Sequence, residues 1–229
     1  SVLGFFWTFL NPLLQLLVYT LVFSVILKSD IPNYYIHLFV ALVPWLFFST
    51  SLTASSTAII GNKDLIKKIY FPRIIMPMAV VNGAFMNMLF TMIVVFCVLI
   101  FSGIGISKYI ILLPIIMILE YLLVLGFAFV VSALNVYFRD LEHILGILTM
   151  AWMYATPVLY SIDIVPEKLK GIFELNPMTP IVVAFRDILY FQKMPDLSHM
   201  SLILFWSIAF IILGYLIFQK LQRGFAEEL

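Results

Sequence analysis

Charged residues are scarce in this chain. Asp, Glu, Lys and Arg make up 11% of its 229 residues, whereas 64% are hydrophobic. A typical soluble domain has about 25% charged residues, and a soluble core cannot absorb so much apolar surface. The composition therefore predicts an all-α integral membrane protein. A protein that binds nucleic acid needs a strongly positive surface, and the net charge of this chain is only +1. We therefore expect no nucleic-acid partner.

Residues that bind metals or nucleotides are also missing or scattered. The single cysteine, Cys97, excludes an intrachain disulfide, and His37, His143 and His199 lie in separate segments without metal-ligand spacing. No Gly-x-x-x-x-Gly-Lys-[Ser/Thr] sequence occurs, so the phosphate-binding loop of an ATPase is absent from the sequence. We expect no catalytic residue, metal or cofactor in this chain, and an energy source in an ion gradient or another polypeptide.

Long hydrophobic runs, by contrast, are abundant. A hydrocarbon core of about 30 Å needs about 20 helical residues, and six stretches reach or approach that length. They are residues 5–27, 36–60, 74–101, 109–134, 144–160 and 201–221. The loop 61–73 holds four basic residues, against one in each loop after the first and third spans. The positive-inside tendency thus places this loop, segment 135–143 and both termini in the cytoplasm.

The segment between the last two spans contains a second kind of element. Residues 181–191 are apolar but only eleven residues long, and they include Arg186 and Asp187, so they cannot span a bilayer. Asn176, Pro177 and Pro180 predict a turn ahead of them. We expect a pair of short helices over about 164–192 that dips into or lies on the outer leaflet.

The basic loop predicts a short helix with two faces. Asn62 can cap it, and Asp64 then lies favourably in its first turn. The apolar face is formed by Leu65, Ile66, Ile69 and Tyr70, and the basic residues are Lys63, Lys67, Lys68 and Arg73. The apolar face either lies among lipid headgroups, with the lysines on anionic lipid, or inserts into a cleft on a cytoplasmic partner.

Two further polar features have alternative interpretations. Arg139, beside Asp140 and Glu142, forms either a solvated ion pair or the far edge of the same docking surface. Glu120 is the acidic residue that lies well inside a span, at a depth similar to that of Asn87. We predict a hydrogen bond between the two side chains, and a proton relay is the alternative.

Two polar stripes predict a path for a sugar. Hydroxyl and amide groups interleaved with aromatic faces suit a carbohydrate, although they also knit membrane helices together and anchor interfaces. One stripe is Asn11, Gln15 and Tyr19 on the first span, and the other is Thr149, Trp152, Thr156 and Tyr160 on the fifth.

An ordered set of motifs resembles the permease of ABC-2 type exporters, and in particular its polysaccharide branch. The motifs cover nearly the whole chain. They are Leu3-Gly-x-x-Trp7, Pro12-Leu-Leu, Val18-Tyr19, Leu65-Ile-Lys-Lys-Ile-Tyr-Phe-Pro-Arg73, Asn135-Val-x-Phe-Arg-Asp-x-x-His143, Thr156-Pro-Val158, Asn176-Pro-Met-x-Pro180 and Phe185-Arg186.

The resemblance implies a homodimer of six-span subunits in the bacterial inner membrane, with two cytoplasmic ATPase subunits that bind ATP and Mg. Residues 62–73 would be the coupling helix, and Arg139 and Asp140 would belong to a second ATPase contact. Spans one and five would flank a lateral opening for a lipid-linked polysaccharide. The outer gate would include Asn176, Pro177, Phe185 and Arg186. The family usually begins with an amphipathic interfacial helix, which we expect to be missing here.

The sequence thus favours a permease that exports a lipid-linked, O-antigen-like glycan and is powered by a partner ATPase. Teichoic acid or a small amphiphile is the alternative cargo. A proton-coupled carrier that uses Glu120 is the alternative from another functional class, and a membrane scaffold without transport is the third interpretation.

Overall fold

The computed structural model describes residues 2–22, 31–68 and 71–228, which form a bundle of helices without a β-strand. In chain order the α-helices are α1 (Val2–Thr20), α2 (Tyr34–Ser56), α3 (Lys63–Lys68), α4 (Ile75–Phe101), α5 (Leu113–Tyr137), α6 (Leu141–Tyr154), α7 (Glu167–Leu175), α8 (Met178–Leu189), α9 (Leu197–Leu221) and α10 (Phe225–Glu228).

Four helical segments of the described chain are long and apolar enough to cross a membrane. They are Tyr34–Ser56, Ile75–Phe101, Lys108–Tyr137 and Leu197–Gly224, which correspond to four of the six predicted spans. The first predicted span, 5–27, overlaps α1 from residue 5 to Thr20, and its residues 23–27 lie outside the described part of the chain.

The fifth predicted span, 144–160, is helical only as far as Tyr154. Pro157 disfavours the α conformation at the residue before it, so the chain leaves the helix and turns over residues 155–160. With 14 residues, α6 is about 21 Å long, which is shorter than a hydrocarbon core of about 30 Å.

Helix α2 forms the centre of the bundle, and α5 with α9 forms its closest helix pair. In the most apolar stretch of α2, 78% of the residues are buried, against 22% in that of α9. Gly126 and Gly214 lie where α5 and α9 approach each other, and a Cβ at either position would collide with the backbone of the other helix. Two glycines at the crossing therefore set the separation of these helices.

Hydrogen bonds between distant segments define the two ends of the bundle. At the Arg73 end, the connection before α4 and the end of α5 bond to the end of α9. At the Arg186 end, residues of α8 and the loop after it bond to carbonyls at 32, 104, 157 and 160. The loops predicted to share the cytoplasmic side are thus at the same end of the described structure.

The segment predicted to form two short helices contains α7 and α8. All twelve residues of α8 are buried, because this helix packs against α2, α5 and α9. Protein therefore encloses a helix that the sequence had placed in or on the outer leaflet. The position of α7 and α8 relative to a membrane stays a prediction.

Candidate functional site

The basic loop forms a helical element, as predicted. Residues Ile60–Asn62 make one 3-10 turn and α3 follows, with Asp64 in its first turn. The Asn62 amide does not point into α3: its Nδ2 donates to the Ala58 carbonyl at 2.9 Å. Leu65 is 42% exposed, and Ile66 is partly buried against the core.

Only part of the predicted docking face is described. Ile69 and Tyr70 lie outside the described residues, and the same holds for the side chains of Lys67 and Lys68. Lys63 is exposed next to Leu65 at the start of the helix. The assignment of these residues to an ATPase contact stays a prediction.

Arg73, by contrast, is engaged within the chain. Its Nη1 donates to the Gln222 carbonyl at 2.7 Å, and its guanidinium carbon lies 5.8 Å from the centre of the Phe225 ring. The Tyr137 hydroxyl donates to the neighbouring Leu221 carbonyl at 2.8 Å. Side chains from the connection before α4 and from the end of α5 thus hold the turn that follows α9.

The second predicted contact is exposed at the same end. Arg139 and Asp140 are both solvent-accessible in the turn between α5 and α6. Among the described residues, the close ionic contact here is between Glu142 and His143, at 3.6 Å and conditional on a protonated imidazole, rather than to Arg139. Arg139 and Asp140 are therefore available to a partner, and their role stays a prediction.

A groove of about 460 Å³ lies between α1, α2 and α4. Asn11 and Gln15, from the stripe predicted on the first span, line it together with Trp7. The side chain of Tyr19 is outside the described part of α1. Two of the three stripe residues thus face one groove, whose polar wall is completed by residues that the sequence analysis missed.

The missed residues are on α4 and α2. Ala79, Gly83, Asn87 and Thr91 recur every four residues along α4 and all line the groove, together with Thr50 of α2. This four-residue repeat of small and polar residues in an apolar helix is the sequence pattern that could have indicated the groove. It was obscured because Asn87 had been assigned to a hydrogen bond with Glu120.

Further along the seam between α1 and α4, a second groove of about 430 Å³ is nearly all apolar. Leu13, Val94, Val98 and Phe101 are among the residues that line it. The seam therefore has amide and hydroxyl groups near the Arg73 end and hydrocarbon side chains towards the Arg186 end.

The stripe predicted on the fifth span forms an internal hydrogen-bond network. Asn176 accepts from Trp152 Nε1 at 2.9 Å and from the Met178 amide at 3.0 Å. Its Nδ2 donates to Thr156 Oγ1 at 2.8 Å and to the Ala155 carbonyl at 3.1 Å. The predicted gate residue Asn176 thus ties the end of α6 to the start of α8.

The remaining residues of this stripe also bond to backbone. Thr149 is buried and donates to the Leu145 carbonyl at 2.7 Å, and the Tyr160 hydroxyl donates to the Tyr154 carbonyl at 2.7 Å. The Trp152 ring packs 5.1 Å from that of Phe48. These contacts are of the helix-knitting kind, and a role for this stripe in a sugar path stays a prediction.

Arg186 is buried, and it lies at the end of the bundle away from Arg73. Its guanidinium donates to four carbonyls, those of Pro157 at 2.5 Å, Val158 at 2.5 Å, Tyr160 at 2.8 Å and His37 at 3.2 Å. It therefore closes the turn after α6 onto α2. Among the other predicted gate residues, Pro177 and Phe185 are buried as well.

Burial shifts the pKa values of both charged residues of α8. It lowers the pKa of the Arg186 guanidinium to about 9, while three nearby phenols act in the opposite direction. Burial also raises the pKa of the adjacent Asp187, an effect that Lys193, 3.2 Å away, opposes. Both charged residues of α8 thus have polar partners within the protein.

Glu120 is fully buried in α5, and neither of its carboxyl oxygens has a hydrogen-bond partner among the described residues. The predicted bond to Asn87 is wrong, since Asn87 is exposed in the groove. The side-chain bond between α4 and α5 is made instead by the Tyr121 hydroxyl, which donates to Asn82 Oδ1 at 2.7 Å. Two residues at the same depth in neighbouring helices can point in different directions around their helix axes. Equal depth therefore did not imply a contact between Glu120 and Asn87.

Comparison with known proteins identifies related sequences. Residues 1–190 match the model of the ABC-2 type transporter family. The chain is 33% identical over 237 residues to an O-antigen export system permease protein RfbA of Myxococcus xanthus. This alignment covers 100% of this chain and 89% of the relative. The chain is 34% identical over 230 residues to a protein of the same name from Klebsiella pneumoniae, with 100% and 88% covered.

Proposed function

Because this chain belongs to the ABC-2 type transporter family, we propose that it is the permease subunit of an ATP-driven exporter of a lipid-linked, O-antigen-like polysaccharide. The curated relatives are named as O-antigen export permeases and match the chain over its full length. Four helices that are long and apolar enough to cross a membrane support a multi-pass membrane protein.

The proposed assembly contains two copies of this chain and two ATPase subunits in the bacterial inner membrane. Each copy has six spans, with α1 and α6 as the first and fifth, and both termini in the cytoplasm. ATP and Mg are bound by the ATPases, and α3 docks into them. The exposed Leu65 and Lys63 support this contact, as does the exposure of Arg139 and Asp140 at the same end.

The seam between α1 and α4 is the observation that carries the proposal. Amides exchange hydrogen bonds with sugar hydroxyls or phosphate oxygens, whereas an isoprenoid or acyl chain needs an apolar surface. Asn11, Gln15 and Asn87 provide amide groups near the Arg73 end, and Leu13 and Phe101 contribute to the apolar surface further along the seam. A molecule with a polar head and a long hydrocarbon tail fits this order.

Charge reversal in the coupling helix tests the proposal. The permease and its proposed partner ABC ATPase are reconstituted in vesicles, with a fluorescent polyprenyl-diphosphate oligosaccharide as the probe. Wild type is expected to move the probe only with ATP. The double variant Lys67→Glu, Lys68→Glu is expected to lose most of this transport, because lysines that steer docking would then repel an acidic partner surface.

Lys108→Glu is the matched control, since this exposed lysine lies at the opposite end of the bundle, in the connection between α4 and α5. It is expected to transport like wild type. Transport without ATP in wild type, or full ATP-driven transport by the double variant, contradicts the proposal.

A further inference from the structure

The turn after α9 joins parts of the chain that are far apart in the sequence. This C-terminal turn (residues 221–225) accepts hydrogen bonds from Arg73, 149 positions from Gln222, and from Tyr137, 84 positions from Leu221. Arg73 belongs to the connection between α3 and α4, and Tyr137 is the last residue of α5. Each of the two loops predicted to meet an ATPase therefore sends one side chain to the same turn.

Both bonds fall at the C-terminal end of α9. Carbonyls in the last turn of an α-helix have no partner further along the helix, and cations are favoured there by the helix dipole. Tyr137 donates to the carbonyl of Leu221, the last residue of α9, and Arg73 donates to the carbonyl of Gln222 just beyond it, which also accepts from the Phe225 amide. The bond from Arg73 is charge-assisted and hence among the stronger kinds.

The C-terminal turn packs closely against α5 and α9. Phe225 is fully buried, with its ring 5.8 Å from that of Phe218 and 6.3 Å from that of Tyr137. Gly224 approaches Tyr137 so closely that a Cβ would collide with its hydroxyl. Closely packed side chains of this kind transmit a displacement rather than absorb it.

Beyond the C-terminal turn, α9 and α5 are in direct contact. Gly126 and Gly214 place their backbones in direct contact, and Ser207 Oγ donates across the pair to the Leu119 carbonyl at 2.7 Å. The loop with Arg139 and Asp140 directly follows α5. The C-terminal turn consequently connects α3 and α4 on one side to α5, α9 and that loop on the other.

We propose that Arg73 is a positioning residue that, with Tyr137, transmits displacement of the coupling helix through the C-terminal turn to the α5 and α9 pair, a role that rests on the proposed function. Arg73 then faces inward and acts on the transport helices, and it is not part of the surface that touches the ATPase. This assignment differs from the one that the motif alone suggested.

The test measures ATP hydrolysed and probe exported in the same vesicles. Arg73→Met removes the donor but keeps an apolar stem, and Tyr137→Phe removes only the hydroxyl. Both are expected to assemble with the ATPase and hydrolyse ATP, yet to export roughly three- to tenfold less probe per ATP. Arg73→Lys, which retains a cationic donor, is expected to recover part of the ratio.

A double variant and a control separate transmission from simple loss of structure. If both residues act through one turn, Arg73→Met with Tyr137→Phe is expected to be little worse than the poorer single variant. Arg223→Met changes an exposed arginine in the same turn and is expected to keep the wild-type ratio. The amount of assembled complex is measured for each variant by size-exclusion chromatography.

The outcomes distinguish the two proposals. Wild type that does not couple ATP to export refutes the proposed function. Wild type that couples normally, with Arg73→Met and Tyr137→Phe keeping its export per ATP, refutes the role of the turn alone. Arg73→Met that fails to bind the ATPase also refutes it, because Arg73 would then be a docking residue.

Discussion

At the scale of single residues, Arg186 shows how a charge is accommodated in an apolar bundle. A charge inside a membrane protein is costly unless it is paired, and the sequence provides no acidic partner for this arginine on its own helix face. Four backbone carbonyls perform that role, and three of them belong to the turn around Pro157 that ends α6. Arg186, for which an outer-gate role stays a prediction, therefore holds the turn after α6 in place.

Arg186→Met is expected to lower the free energy of unfolding by about 3 kcal/mol, since it leaves buried carbonyls without donors. Thermal unfolding in detergent, followed by intrinsic Trp fluorescence, measures the change. Arg186→Lys keeps the charge but offers donors from a single point, so its unfolding temperature is expected to lie between those of the other two proteins. A Met variant as stable as wild type would show that these hydrogen bonds contribute nothing.

Asn176 illustrates the same point for a neutral side chain. Its amide uses two donors and accepts two hydrogen bonds, all within the chain. Its motif, Asn176-Pro177, predicted a turn from local chemistry alone. The network with Trp152 and Thr156 depends on residues twenty or more positions away, so local spacing did not indicate it.

At the scale of helices, the contact between α5 and α9 depends on two glycines. Glycine in a helix interior costs about 1 kcal/mol relative to alanine, so its presence there requires a reason. The reason is steric, because a Cβ at Gly126 would meet the backbone oxygen of Phe210. No pattern within either run of apolar residues revealed which helix would be the neighbour.

Gly126→Ala is expected to destabilise the protein by about 1 to 3 kcal/mol, since the helices must separate to admit the methyl group. Gly146→Ala provides the matched control, because a Cβ at this helical position meets nothing within 4 Å. The control is expected to be neutral or stabilising. Chemical denaturation in detergent compares the two, and equal stability of both variants would contradict the steric explanation.

The lengths of the helices were predictable in part. Apolar runs and their limits indicated α2, α4, α5 and α9 to within a few residues, because hydrophobic length is a local property. The run that contains α6 was predicted too long. Its end is decided by Pro157 and by Arg186, which binds the carbonyls beyond it.

At the scale of the whole molecule, the two main functional interpretations, an ATP-driven exporter and a proton-coupled carrier, differ in their energy source. Glu120 is the buried carboxyl on which a proton-coupled carrier would depend. It lacks a polar partner among the described residues and does not line either groove of the α1 and α4 seam. An exporter driven by a partner ATPase does not need this group to exchange protons.

Glu120→Gln is therefore expected to keep at least half of the ATP-driven export of wild type, because the amide has the same shape and cannot ionise. Probe export is measured in vesicles with ATP and, separately, with a pH gradient alone. Loss of all transport in this variant, together with transport driven by the gradient in wild type, would favour the carrier.

The amino-acid sequence was sufficient to establish a helical membrane protein, the order of its apolar runs, its basic loop and its family. Composition, hydrophobic length and ordered motifs can all be read along one dimension. Folding determined that Asn87 lines a groove with Asn11 instead of bonding to Glu120, and that Arg73 reaches the turn after α9. These facts depend on which faces of distant helices meet, and helix packing sets that through contacts that no local pattern specifies.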